Sequence, residues 1–240
     1  MSDPSGPLLS VRGEARLTVA PDCVILAGVI ESSRGSKAEA LRAAAASLDG
    51  LTADLASLGG VALGAATERR PLTWSAQSAT TYVERDHDKK TGRHQPTGQV
   101  IAMVAVVIEV REFGALDALG SVLASHEAFS VRDVSWAVDW DNPAWPQVRA
   151  AAIQAAIRKG RDYAAALGGS LHDVEHIADV GLLGGNGESG GLRFNSARIA
   201  RAASGPGGEP DAPSLDPVPQ ELTATIEARF TATGVSLAGN

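Results

Sequence analysis

The segment VRGEARLTVAPDCVILAGVIE (residues 11–31) contains two runs of β-strand character with different patterns of side chains. In the first run apolar and polar residues alternate, which predicts a strand with one buried and one solvated face. The second run, CVILAGVIE, is apolar on both faces, as in a strand that is covered on both sides. Pro21 cannot donate a hydrogen bond to a ladder and Asp22 favours a turn. We therefore predict that the two runs form a tight antiparallel hairpin.

The rest of the chain continues this mixture of strands and helices. Ser36 and Glu39 form a capping box at the start of a helix whose leucines and alanines recur at heptad spacing. Residues 64–111 are typical of a long hairpin with a charged tip. A second helix, a strand over residues 129–140 and an alanine-rich third helix capped by Asn142 follow. The sequence thus predicts an α+β fold, a mostly antiparallel sheet with about three helices packed on it, in the order β-β-α-β-β-α-β-α-β-loop-β.

The last strand and the domain limits follow from composition and periodicity. Residues 221–234 alternate strictly, which predicts that Leu222 and Phe230 lie on an inward face. Residues 182–218 are rich in Gly and Pro, so we expect a flexible insert there. We expect a single domain over residues 9–235, interrupted by this insert, with a flexible N-terminus at 1–8 and a tail at 236–240.

Composition excludes several classes of protein. The chain has 240 residues, of which 44% are hydrophobic but only 4% aromatic, so its core must consist mainly of Ala, Val, Leu and Ile. The net charge of −7 argues against a nucleic-acid partner, since neutralising phosphates requires clustered Lys and Arg. The single cysteine, Cys23, excludes an internal disulfide and a thiolate metal cage. The longest apolar run, Val100 to Ile108, is about half of what a membrane-spanning helix needs. With no leader of secretory type at the N-terminus, we expect a cytoplasmic protein without a transmembrane segment.

Two enzyme motifs overlap in the insert. Gly187-Glu188-Ser189-Gly190-Gly191 matches the nucleophile elbow of serine hydrolases. Hydrolases of that fold place their histidine after the serine, and all five histidines of this chain precede Ser189, so a hydrolase is a remote alternative. Residues 185–190 also match the dinucleotide pattern G-x-G-x-x-G, but the βαβ unit that this pattern requires is missing. We interpret both matches as coincidences in a glycine-rich loop and expect no catalytic residue and no cofactor.

Two histidines four residues apart are a candidate metal site. His172 and His176 would share one face of a helix, as in zinc proteases. On a strand they would lie about 13 Å apart, and the surrounding sequence favours a strand. We expect no metal.

Two further groups of residues are candidates for contacts. Trp136, Trp140 and Trp145 lie within ten residues, and we predict that Trp136 and Trp140 share a strand face. Such a stripe is typical of a core, but in a chain so poor in aromatics it is also typical of a contact surface or a ligand site. A second group, in the insert, forms either a basic docking arm or a solvated segment: Arg193, Arg198 and Arg201.

The order of elements and three stretches of sequence resemble the SIMPL-domain family. The stretches are VRGEARLTVAPD (residues 11–22), KAEALRAAAASLDGLTADLASLG (37–59) and WPQVRAAAIQAAIRKGRDYAAALGGSL (145–171), and the last strand also fits. The resemblance spans roughly residues 9–180 and 220–235. It implies a non-enzymatic domain, often periplasmic or linked to the cell envelope or to stress tolerance, with some members forming rings or channels. It implies no catalytic residue at any position.

Three functions remain as hypotheses. The first is a self-associating interaction protein with a homo-oligomeric state and a protein partner, because strands that are apolar on both faces need more cover than three helices supply. The second is a small-molecule or lipid-binding module with a pocket lined by Trp136 and Trp140. The third is a hydrolase that uses Ser189.

Overall fold

A computed structural model describes residues 6–66, 68–88, 93–182 and 216–235. Within these ranges the chain forms three helices and nine strands, which confirms the α+β prediction. In chain order they are β1 (Leu8–Val19), β2 (Cys23–Arg34), α1 (Lys37–Ser57), β3 (Val61–Ala62), β4 (Leu72–Ala76), β5 (Thr80–Asp88), β6 (Arg93–Val110), α2 (Leu116–Ser125), β7 (Phe129–Ala137), α3 (Ala144–Ala166), β8 (Ser170–Asp179) and β9 (Gln220–Thr233).

The elements divide into two compact units. The described parts of Met1–Ala20, Asp139–Ala200 and Pro219–Asn240 make a three-strand unit with α3. The described parts of Pro21–Val138 and Arg201–Val218 make a six-strand unit with α1 and α2. The limits of a single domain at 9–235 stay a prediction.

The three-strand unit is an antiparallel sheet in the order β1-β9-β8. β1 pairs with β9 over its whole length, from Leu8 opposite Thr231 to Val19 opposite Gln220. The predicted inward residues of β9 are all buried, which confirms the alternation: Leu222, Ala224, Ile226, Ala228 and Phe230.

The hairpin predicted over residues 11–31 is wrong. β1 pairs with β9, whereas β2 pairs with β6 and β7 in the other sheet. A short connection makes a hairpin the default expectation, but side-chain periodicity does not specify which strand pairs with which. The one-sided pattern of β1 matches the equally one-sided pattern of β9, so both strands place their apolar residues against the same helix.

Small residues bring α3 close to this sheet. Its buried residues recur at every fourth position: Ala144, Val148, Ala152, Ala156, Gly160 and Ala164. Gly13 of β1 lacks a Cβ where one would overlap the backbone of Ala152 and Ala156. Beside this contact, Lys159 Nζ donates a hydrogen bond of 2.7 Å to the carbonyl oxygen of Arg12. The alanine-rich helix therefore packs by direct approach of its backbone to β1.

The six-strand unit is built around β6. Its sheet has the order β3-β4-β6-β2-β7, with β5 also paired to β6. β4 and β5 pair with successive halves of β6 along one edge, and β2 pairs with the other edge. The long hairpin predicted over residues 64–111 is confirmed by the antiparallel pairing of β5 and β4 with β6.

The core of the six-strand unit lies between its helices and one face of its sheet. α1 begins as predicted, because the backbone N–H of Glu39 donates to Ser36 Oγ at 3.3 Å and this hydroxyl donates to the Glu39 carboxylate at 2.9 Å. Alternate residues of β6 are buried against the helices: Ala102, Val104, Val106, Ile108 and Val110. Leu51 and Leu55 of α1 and Leu119 of α2 are fully buried in the same core.

Candidate functional site

Both helices of the six-strand unit pack on the same face of its sheet. The opposite face, which we call the helix-free face, carries the intervening residues of the two central strands: Ile25, Ala27 and Val29 of β2 and Ile101, Met103, Ala105 and Val107 of β6. The residues of β4 and β5 on the same face include Thr73, Ser75, Thr80 and Tyr82. Val107 is 36% exposed and Tyr82 is 47% exposed. The sequence predicted strands that are apolar on both sides, and among the described elements of this unit the helices α1 and α2 cover one side of these strands.

On β2 and β6 the charges of the helix-free face lie toward its ends and are paired, whereas the edge strand β7 places the exposed Asp133 opposite Ala27. Between Ile25 and Val29, and between Ile101 and Val107, β2 and β6 contribute no charged side chain to this face. At one end Arg132 contacts Glu31 at 3.1 Å, and at the other Arg111 contacts Glu109 at 2.7 Å. An apolar centre with a polar rim is the usual anatomy of a protein–protein interface.

The three tryptophans differ in their surroundings. Trp136 of β7 is half-buried and packs edge-to-face on Phe113, with ring centroids 5.2 Å apart. Trp145, in the first turn of α3, is also half-buried, and its Nε1 donates to the carbonyl oxygen of Asp139 at 2.8 Å. The Arg149 guanidinium lies 5.6 Å from the centroid of its ring. Trp136 therefore belongs to the core of the six-strand unit, and Trp145 is a partly covered residue of the three-strand unit.

Trp140 is 83% exposed and is not part of a strand. β7 ends at Ala137, so the prediction that Trp136 and Trp140 share a strand face is wrong. The alternation of side chains continues in the sequence past the point where the ladder with β2 ends, and periodicity alone does not mark that point. A contact role for Trp140 stays a prediction.

The remaining predicted sites are the histidine pair, the serine of the elbow motif and the arginines of the insert. His172 and His176 lie on the exposed strand β8, as the sequence indicated. In the part of the chain that the structure describes, no group of three or more His, Cys, Asp and Glu side chains is placed to hold a metal ion. Ser189 and the arginines of the insert, Arg193, Arg198 and Arg201, lie outside the described residues.

Strand β8 extends beyond the cover of α3, a feature that the sequence did not suggest. A helix is about 10 Å wide, whereas three strands span about 14 Å, so one helix leaves part of such a sheet uncovered. Val174 and Ile177 are accordingly 46% and 44% exposed. Two β-bulges interrupt the pairing of β8 with β9, and bulges on an edge strand disfavour further pairing along it.

A cavity of about 360 Å³ opens in the six-strand unit beside the loop that joins α2 to β7. It is lined by Ile30, Ser47, Ser125, His126, Glu127, Ala128 and Phe129. His126 Nε2 lies 2.9 Å from Asp54 Oδ2 on α1. No tryptophan lines this cavity, so the tryptophan-lined pocket that we predicted is not found here. No motif marks Ser47 or His126 in the sequence, because they lie on different elements that only packing brings together.

Comparisons with known proteins identify a family. A family model described as SIMPL, protein of unknown function (DUF541), matches residues 9–230. No curated protein matches the chain. Among the described residues, none of the helices has both the length and the apolar character required to cross a bilayer.

Proposed function

The chain belongs to the SIMPL family, a family of unknown function, and we propose that this member is a non-enzymatic interaction protein that associates with itself. The non-enzymatic part of the proposal rests on the sequence, since the family resemblance assigns no catalytic role to any residue of this chain. The self-association rests on one observation, the apolar helix-free face of the six-strand unit.

A second copy of the same face is the occupant that fits best. Two sheets pack face to face when both present flat, apolar surfaces whose side chains interdigitate. A two-fold arrangement supplies such a surface automatically, because it places the same patch of each copy opposite the other. The pairing of Glu31 with Arg132 and of Glu109 with Arg111 reduces the repulsion that like charges at the rim would otherwise cause.

The dimensions of the face indicate a weak interface. The face is four strands wide, at about 4.8 Å per strand, and seven residues long, at about 3.3 Å per residue. Its flat area is therefore roughly 450 Å² per copy. A pair of copies would bury about 900 Å² in total, which is in the range of transient complexes rather than of obligate dimers. We therefore expect association at micromolar concentrations and above. The net charge of −7 makes each copy repel the other, so added salt should strengthen the association.

Sedimentation velocity at protein concentrations of about 1 to 200 µM tests the proposal, because transient interfaces associate in this range. The wild type should show a concentration-dependent shift from monomer to dimer. Val107→Lys places a charge on the helix-free face and should weaken the association at least tenfold, since a desolvated, unpaired charge is costly.

Val83→Lys is the matched control, because Val83 lies opposite Val100 on the other face and is 49% exposed. It should leave the association unchanged. A wild type that stays monomeric over the whole range, or a Val107→Lys protein that dimerises as the wild type does, would contradict the proposal. Equal loss of association in both variants would place the contact elsewhere.

A further inference from the structure

The cavity beside His126 has both apolar and polar lining residues. Ile30 and Phe129, which are 0% and 7% exposed, are the large apolar ones. Ser47 of α1 and residues 125–127 are the polar ones. The volume of about 360 Å³ is at the lower end of the range for ligand pockets, about 300–1,000 Å³. At about 30 Å³ per water-sized group, a space of this size has room for a small molecule of up to about a dozen non-hydrogen atoms.

The imidazole of His126 is held in place from two sides. Its Nε2 donates to the Asp54 carboxylate at 2.9 Å, so Nδ1 is the ring nitrogen that this bond does not use. Its Cε1 lies over Gly50 of α1, where a Cβ would be 3.5 Å away. The following turn is closed by a 2.9 Å hydrogen bond from the Phe129 N–H to the His126 carbonyl oxygen. The cavity wall is thus anchored both to α1 and to its own turn.

The polar atoms that line the cavity favour a cation. Glu127 contributes an exposed carboxylate, and the lining residues include no Lys or Arg. The Asp54 carboxylate behind the imidazole adds a second negative charge. The Ser125 hydroxyl already donates to the carbonyl oxygen of Val122 at 2.7 Å. An anion would be repelled here, whereas a cation would be attracted.

We propose that this cavity binds a small primary amine in its ammonium form. An alkylammonium group has three N–H donors. Three residues that line the cavity carry acceptors of different kinds for them: Glu127 a carboxylate, His126 a ring nitrogen and Ser47 a hydroxyl oxygen. The short alkyl chain packs against Phe129. This site is separate from the helix-free face and does not depend on self-association.

Titration of the isotope-labelled full chain with n-butylammonium, followed by ¹H–¹⁵N NMR, tests this site. We expect saturable shifts at Ser47, at residues 126–129 and at the ring nitrogens of His126. For a ligand of five non-hydrogen atoms the Kd should be about 1–10 mM. n-Butyrate, which has the same number of carbon atoms and the opposite charge, should not bind. Tetramethylammonium, which has the charge without N–H donors, should bind at least fivefold more weakly.

Two variants and one control separate the proposed contacts from a general charge effect. Glu127→Gln should weaken n-butylammonium binding at least tenfold, and Ser47→Ala about threefold. Glu112→Gln removes a carboxylate of another exposed residue, one that does not line the cavity, and should leave the Kd unchanged. Shifts that do not saturate, equal binding of butyrate or tetramethylammonium, or an unchanged Kd in Glu127→Gln would each overturn the proposal.

Discussion

Gly13 of β1 lies so close to Ala152 of α3 that a Cβ at residue 13 would overlap the Ala152 carbonyl oxygen. The helix therefore contacts the strand through backbone rather than through large side chains. Lys159 reinforces the same contact from the helix by donating to the carbonyl oxygen of Arg12. This chain has few aromatic residues, and the close backbone contact takes the place of contacts between large side chains.

Gly13→Ala tests this contact. The added methyl group must push α3 away from β1, so we expect the free energy of unfolding to fall by about 1–3 kcal/mol. Gly120→Ala is the matched control, since a Cβ there meets no atom within 4 Å and Gly120 lies inside α2. It should raise stability by about 0.5–1 kcal/mol. Urea denaturation followed by circular dichroism measures both changes, and equal effects of the two substitutions would contradict the packing described.

The capping box of α1 provides a second test. Ser36→Ala removes the acceptor of the Glu39 N–H, so we expect a loss of about 1 kcal/mol in the free energy of unfolding. Ser36→Asp should retain most of the stability, because a carboxylate accepts the same hydrogen bond and favours the helix N-terminus. Ser57→Ala, near the other end of α1, should change stability by less than about 0.5 kcal/mol. Thermal unfolding ranks the three variants, and a larger loss at Ser57 than at Ser36 would refute the assignment.

The contact between His126 and Asp54 joins the end of α2 to α1. A double-mutant cycle with His126→Ala and Asp54→Ala should give a coupling energy of about 0.5–1.5 kcal/mol, the usual net value of such a hydrogen bond. Replacing Asp49 instead of Asp54 in the same cycle should give no coupling beyond error. Chemical denaturation of the four proteins at one pH provides the measurement, and strictly additive effects would show that the bond contributes nothing to stability.

The exposure of Trp140 predicts the fluorescence of the protein. Trp140 is 83% exposed, whereas Trp74, Trp136 and Trp145 are half-buried. Trp140→Phe should therefore remove most of the emission that acrylamide quenches and shift the remaining spectrum to shorter wavelength. Trp136→Phe should have the opposite effect, since it removes a ring packed on Phe113. Equal Stern–Volmer slopes for the two variants would contradict these environments.

The amino-acid sequence by itself determined the local structure of this protein. The alternation in β9 predicted its buried face, and Ser36 with Glu39 predicted the start of α1. Both signals are local, since side-chain direction follows the period of the backbone and a cap involves residues within one turn. For the same reason the sequence indicated that β2 and β6 are apolar on two sides.

Only the tertiary structure decided which elements meet. Arg12 of β1 contacts Glu227 of β9, 215 residues away, although the adjacent strand β2 was the expected partner. The helix-free face exists because α1 and α2 pack on the same side of the sheet, and the cavity exists because Ser47 and His126 approach each other from separate elements. Such contacts depend on the fit of distant surfaces to one another. Periodicity determines which side of a strand is apolar. Several surfaces could cover that side, and the packing of the whole chain selects one of them.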